Sequence, residues 1–190
     1  MSNARARLAD WARAAIRNPL FRYGLVIALA IAFLDQASKY WVVHILELPE
    51  RLGPCAKNPG LTCAQIPLSP VFDLTFVRNY GMSFGLLAGG LASRLFLSMV
   101  TIGIVAALIV WLGRLDRRIA ATAVGFIAGG ALGNLYDRIS YGYVVDFLDF
   151  SGLYFPWVFN VADAAINVGV AFLLLDAWLT RDAPAPQNQD

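Results

Sequence analysis

The sequence predicts an all-α membrane protein built as a bundle of four transmembrane helices. Three observations carry this reading. Hydrophobic residues make up 58% of the 190-residue chain and charged residues only 15%, against roughly 25% charge in an ordinary soluble domain. The mean hydropathy is +0.59, more than a soluble surface of this length accommodates, so the excess faces lipid. Two stretches, Leu95–Leu112 and Ile119–Tyr136, each run 18 residues without a charge, close to the roughly 20 residues that cross a hydrocarbon layer. The net charge of +2 is small, the single His44 and the two cysteines exclude a rich metal site or a cysteine scaffold, and no cofactor or metal is expected. No basic aromatic surface lies outside the apolar runs, so no nucleic acid is expected as a partner.

Residues 1–22 read as a basic cytoplasmic segment, with Arg5, Arg7, Arg13, Arg17 and Arg22 expected to rest on the anionic inner leaflet. The first span covers about 23–46. Its basic flank, the apolar run Gly24–Leu34 and Ala28-Leu29-Ala30 also suit a cleavable signal peptide. Apolar residues resume at Tyr40-Trp41-Val42-Val43, however, and extend the segment to bilayer length, so retention as a span is expected. The remaining spans are placed at 95–112, 119–136 and 158–179, giving one membrane domain over 23–179. The tail 180–190, rich in Pro, Gln and Asp, is expected to be disordered and cytoplasmic. Nine of the fifteen Lys and Arg lie in the N-terminal segment, the Gly113–Arg118 turn and at Arg181. This puts both termini in the cytoplasm and the two large loops, 47–94 and 137–156, outside. The Trp and Tyr residues near the span ends, and His44 with them, read as interfacial.

The first outer loop has structure of its own. Val71–Val77 alternates as a strand does, and Asn79-Tyr80-Gly81 marks a turn after it. Cys55 and Cys63 bracket a stretch containing Pro and Gly. On an oxidising outer side a disulfide closing that stretch is expected, with two free thiols as the alternative.

Charged groups within a span cost about 2.5–3.5 kcal/mol each on insertion scales, so each is a functional candidate. Here they cluster. Asp35 and Lys39 are spaced i,i+4 in the outer half of span one. Asn134, Asp137 and Arg138 end span three, and Asn160 and Asp163 start span four with Asn167 a turn deeper on the same face. Asp146 lies in the short outer loop between them. All sit near one membrane surface, and Asp176 is the inner exception, read as an interfacial residue at a helix end. Gly125, Gly129 and Gly133 recur at every fourth residue and predict a close helix contact that brings Asn134 and Asp137 against a neighbour.

No serine or cysteine stands beside a base in this cluster, which leaves carboxylates with amides. Two aspartates in a poorly solvated site share one proton. The charged one deprotonates water while the protonated one donates to the scissile carbonyl, and an amide is hydrolysed. Binding a divalent cation is the rival use of such groups. A small transporter or proton-coupled carrier would need polar residues through the full depth of the bilayer, and a non-catalytic scaffold would not need the cluster.

Phe33-Leu34-Asp35-Gln36-Ala37-Ser38-Lys39, Asn79-Tyr80-Gly81-Met82-Ser83-Phe84-Gly85, Gly129 through Arg138, Val144-Val145-Asp146-Phe147 and Phe159-Asn160-Val161-Ala162-Asp163 together resemble the ordered motifs of lipoprotein signal peptidase (signal peptidase II). The resemblance implies a bacterial inner-membrane aspartic endopeptidase with four spans and a small extracytoplasmic β-cradle in the first outer loop. Such an enzyme removes the signal peptide of diacylglyceryl-modified prolipoproteins by cutting before the lipidated cysteine. It also implies sensitivity to globomycin-type inhibitors, and a monomer among membrane lipids is expected. By this resemblance Asp146 and Asp163 are the catalytic pair, and Asp35, Lys39, Asn79, Gly81, Asn134, Asp137, Arg138 and Asn160 support the site or hold substrate. The residues alone leave open whether Asp137 or Asp146 partners Asp163. Asp149 reads as a solvated loop residue. The stretch Pro49–Pro67 is an insertion relative to the usual pattern, and the outer loop is expected to move to admit a lipid-anchored substrate.

Overall fold

The computed structural model describes residues 2–55, 58–81 and 90–181. Residues 82–85 of the second motif and the expected disordered tail from 182 onward lie outside the described residues. Asn18-Pro19 separates the first two helices, α1 (Ser2–Arg17) and α2 (Pro19–Tyr40). The Asn18 side chain accepts from the Leu20 amide at 2.9 Å, and Pro19 takes the first helical position, where its missing N–H costs nothing. The basic segment is thus a helix, and it packs Trp11 and Ala15 against Phe21 and Leu112 at one end of the bundle.

Among the described residues, four helices are long and apolar enough to cross a membrane. The first is α2 continued by a π-helical turn, Trp41–Ile45, and the others are α3 (Leu91–Leu112), α4 (Arg118–Ser140) and α5 (Val161–Thr180). Their bounds depart from the sequence expectation at charged positions. The first span starts at Pro19 because Arg22 lies within the helix, its long stem able to carry the charge toward water. α3 and α4 run past their uncharged stretches to include Arg94, Asp137 and Arg138. α5 starts three residues late because Val158–Phe159 is a strand and Asn160 is the helix cap.

α4 is the central element, with 67% of its apolar window buried against 11% for α3. Glycines let it approach its neighbours. A Cβ on Gly125 would stand 2.7 Å from the Gly24 carbonyl oxygen of α2, and one on Gly133 would collide with the Asp35 carboxylate. Gly130, on another side of α4, meets the Ala162 carbonyl of α5 in the same way. At the end of the bundle away from the sheet, Asp176 is buried and pairs with Arg117 at 2.5 Å, so this helix-end residue ties α5 to the α3–α4 turn.

Among the described residues, the loops form one antiparallel sheet of five strands in the order β1 (Leu52–Cys55), β2 (Asn58–Pro67), β3 (Asp73–Asn79), β4 (Val144–Asp149) and β5 (Val158–Phe159). The expected strand at Val71–Val77 begins two residues later. The Ser69 hydroxyl accepts from the amides of Val71 and Phe72 at 3.3 and 3.0 Å and holds them in the preceding turn. Cys55 and Cys63 are disulfide-bonded across the β1–β2 hairpin. Leu74, Val145 and Phe147 of the sheet bury against Val42 and Leu48, which follow α2. This packing holds the sheet over the end of the bundle where the polar cluster lies.

Candidate active site

Asp146 lies on β4 with 2% of its surface exposed. Two asparagines bind its carboxylate, and the backbone fixes the orientation of each. After β3 the chain turns at Gly81, whose φ of +76° suits glycine. The Gly81 amide donates to Asn79 Oδ1 at 2.8 Å, so Asn79 Nδ2 is left to donate to Asp146 Oδ2 at 2.9 Å. Asn160 caps α5, and its Oδ1 accepts from the Asp163 amide at 2.9 Å. Its Nδ2 therefore faces Asp146 Oδ1 at 2.6 Å. In both residues a local backbone bond takes the acceptor and aims the donor at one carboxylate.

Asp163, in the first turn of α5, accepts from Asn134 Nδ2 at 2.8 Å. The Oδ1 of Asn134 accepts in turn from Asn160 and from Lys39 Nζ, each at 3.2 Å. Behind them the Lys39 amine sits between Asp35 and Asp137 at 2.8 Å from each. Both carboxylates are fully buried. Asp35 also accepts the Ala162 amide at 2.9 Å, which fixes the start of α5. Asp137 also accepts the Val145 amide at 3.0 Å, which fixes β4. Asp137 is therefore ion-paired and hydrogen-bonded between α2, α4 and β4, whereas Asp146 lies in the field of Asp163. Arg138 completes the group. It reaches the Asn134 carbonyl at 3.4 Å and feels the charges of Asp163, Asp137 and Asp146.

Burial pushes the Asp146 carboxyl up to about 7, and the Asp163 charge adds to the rise. The bonds from Asn79 and Asn160, with the Lys39 charge, act the other way and are outweighed. A cavity of about 560 Å³ opens onto Asp146 and is lined by Val77, Asn79, Tyr80, Trp157 and Val158. Among the described residues no three or more His, Cys, Asp or Glu converge as a metal-binding group.

The sequence-expected site residues Asp35, Lys39, Asn79, Gly81, Asn134, Asp137, Arg138, Asp146, Asn160 and Asp163 thus converge. Asn167 does not join them: it is exposed and donates to the Asp163 carbonyl of its own helix. Asp149 is not solvated, a correction to the sequence reading. It is 6% exposed and accepts from the Thr75 hydroxyl at 2.7 Å and the Ser151 amide at 2.9 Å. Gln36 was given no role, yet its amide donates to Asp35, Asp137 and the Gly133 carbonyl at 3.1, 2.9 and 3.1 Å. Its place between Asp35 and Lys39 was the only signal for it.

The family model described as Signal peptidase (SPase) II matches residues 27–179. The chain belongs to the signal peptidase II family. The lipoprotein signal peptidase of Caulobacter vibrioides is 48% identical over 157 residues, covering 82% of this chain and 86% of the relative. That of Beijerinckia indica is 40% identical over 176 residues, covering 90% and 98%. Two solved bacterial membrane enzymes, determined by the in meso method at 2.3 and 1.9 Å resolution, superpose with TM-scores of 0.68 and 0.66 at 24% and 27% identity. They cover 88% and 85% of this chain and 94% of their own length in each case. As a signal peptidase II family member the chain is a membrane-bound peptidase. Its four apolar helices with a small antiparallel sheet match the fold class expected from sequence.

Proposed function

We propose that this peptidase is an aspartic endopeptidase of the bacterial inner membrane in which Asp146 and Asp163 are the catalytic pair. It removes the signal peptide from diacylglyceryl-modified prolipoproteins, cutting before the lipidated cysteine. The observation that carries the reading is the position of Asp146: buried, bound by two fixed amide donors, opening on a cavity and lying in the field of Asp163. One proton is shared between the two. Asp146 holds it and donates to the scissile carbonyl oxygen, while ionised Asp163 takes a proton from the attacking water. The tetrahedral diol then collapses as the proton on Asp163 passes to the leaving nitrogen and Asp146 recovers its own. Asp35, Lys39, Gln36 and Asp137 hold α2, α4, α5 and β4 in register, and Asn134 relays that order to Asp163. Arg138 and the Asn79–Gly81 turn hold substrate or position the pair.

The placement of Lys and Arg supports cytoplasmic termini, with the sheet and the aspartates at the outer face. A lipid-anchored precursor presents its cleavage site at that depth. The enzyme acts as a monomer and binds globomycin-type inhibitors in the same cleft. The test is cleavage of a diacylglyceryl prolipoprotein by purified protein in detergent with chelator present. Asp146→Asn and Asp163→Asn should each lose about a thousandfold or more of kcat/KM. Wild-type activity abolished by chelator, or full activity in Asp146→Asn, would overturn the aspartate pair.

A further inference from the structure

The loop between β4 and β5 carries an apolar run that the bundle does not cover. No charged residue lies between Asp149 and Asp163. Within that stretch Leu153, Tyr154, Phe155, Pro156 and Trp157 are all exposed. An unbroken run of this kind is out of place against water. The tip of the loop is also held in a costly conformation. Tyr154 follows the short helical turn Ser151–Leu153 with a left-handed φ of +61°, which favours glycine, and it is 99% exposed. A strained backbone that turns an aromatic ring fully outward points to a partner outside the molecule.

The loop is firmly mounted. A Cβ on Gly152 would collide with the Pro70 carbonyl, so the loop lies against the turn between β2 and β3. Phe150 meets Phe72 at 4.7 Å and stacks on Phe159 at 5.8 Å, and Phe155 meets Phe159 and Trp157 at 5.8 and 5.4 Å. β5 follows, and α5 begins at Val161. Trp157 thus lies at most about 14 Å of extended chain from the start of a membrane span. The outward side of that span, with Val168, Val170 and Leu174, is apolar as well, so the loop continues a surface that faces lipid. Apolar rings with a hydroxyl or an indole N–H at the tip suit the boundary between headgroups and acyl chains. A protein partner would be met by a charged, polar rim, and this run has no charge. We propose that the loop is a membrane anchor, which inserts Leu153, Tyr154, Phe155 and Trp157 among the lipids of the leaflet on the sheet's side of the bundle. Pro156 and Trp157 also line the cavity that opens on Asp146, so the anchor sets the height of that lip against the bilayer. Its effect on cleavage rests on the function proposed above, whereas the insertion itself does not.

The test is nitroxide accessibility in the full chain. Cys55 and Cys63 are bridged, so Tyr154→Cys supplies a single thiol for the label. Ile104→Cys, on the exposed side of α3, and Asp116→Cys, in the exposed turn between α3 and α4, are the lipid and water references. The protein is placed in vesicles of phosphatidylethanolamine and phosphatidylglycerol. The label at 154 should then favour collision with oxygen, as at 104, and meet a water-soluble nickel chelate about tenfold less than the label at 116. A label at 154 that the chelate reaches freely, or one shielded from both reagents as in a protein interface, would overturn the anchor. Turnover supplies a second readout. Tyr154→Gly suits the left-handed backbone, and combined with Leu153→Ser it should raise KM for a vesicle-borne prolipoprotein about threefold or more while kcat holds. An unchanged KM in that variant would overturn the role in setting the lip. Absence of cleavage by wild type, with the label at 154 still favouring oxygen, would strike the proposed function and uphold the insertion.

Discussion

At Asp146 the requirements of folding and of chemistry pull apart. Its carboxyl is pushed up to about 7 by burial and by Asp163, far above the roughly 3.9 of an unfolded chain. The folded state therefore binds this proton more tightly than the unfolded one, so its stability falls as pH rises from about 4 to 7 and stays lowered above that. Asparagine carries no charge at any pH. Asp146→Asn should thus be inactive and should lack this pH-dependent loss, so its stability relative to wild type should rise by on the order of 2–4 kcal/mol between about pH 4 and pH 8, over a constant cost of setting its NH2 against one of the two fixed donors. A stability difference between the two proteins that stays the same from about pH 4 to pH 8 would refute the buried-charge account. Activity should show the same proton: kcat/KM should decline above about pH 7 with a one-proton slope as Asp146 loses the hydrogen it donates. At this scale the sequence was legible where partners are near or the motif is dense, as with Asp35 and Lys39. It was not where the partner comes from a distant strand. Asp149 meets Thr75, 74 positions away, and no local pattern announces that contact.

Among the elements, the contact between α2 and α4 links packing to the site most directly. Gly133 faces the Asp35 carboxylate so closely that an added methyl has no room. Gly133→Ala should push Asp35 away from Lys39 and the Ala162 amide, with a stability loss of about 1–3 kcal/mol for the overpacking. The larger loss should be in turnover, because the start of α5 carries Asp163. Gly103, whose added Cβ meets nothing within 4 Å, is the control, and Gly103→Ala should change neither expression nor cleavage. The glycine spacing made this contact legible in advance. Span ends were less so, because Arg22, Arg94, Asp137 and Arg138 sit inside helices that hydropathy alone would have stopped short of them. A charge stays helical when it pairs or snorkels, and neither property can be read from a hydropathy window.

For the molecule as a whole, the membrane bundle was legible and the sheet mostly was not. Each span is a local apolar run, whereas the sheet draws its strands from three separated regions, and its last strand has only two residues. β3 alone had enough alternation to stand out. The disulfide-closed hairpin lies at the far edge of that sheet from β5. Its bridge spans eight positions, worth about 2.5 kcal/mol in the chain-entropy account. Replacing both Cys55 and Cys63 by Ser should lower the melting temperature while leaving cleavage within about twofold, since no site residue lies on β1 or β2. A large loss of cleavage in that variant would mean that the hairpin helps to cover substrate.

The burial of α4 has a consequence for how such a chain tolerates change. Two-thirds of its apolar window is enclosed by protein, while α3 turns most of its surface outward, where many apolar side chains serve equally well. A saturation library selected for prolipoprotein processing should keep a wide alphabet along α3 and collapse to one or two small residues at Gly125, Gly129, Gly130 and Gly133. Resistance mutations against an inhibitor of this enzyme should accordingly arise outside the α4 glycine positions, since substitutions there would disable the enzyme first.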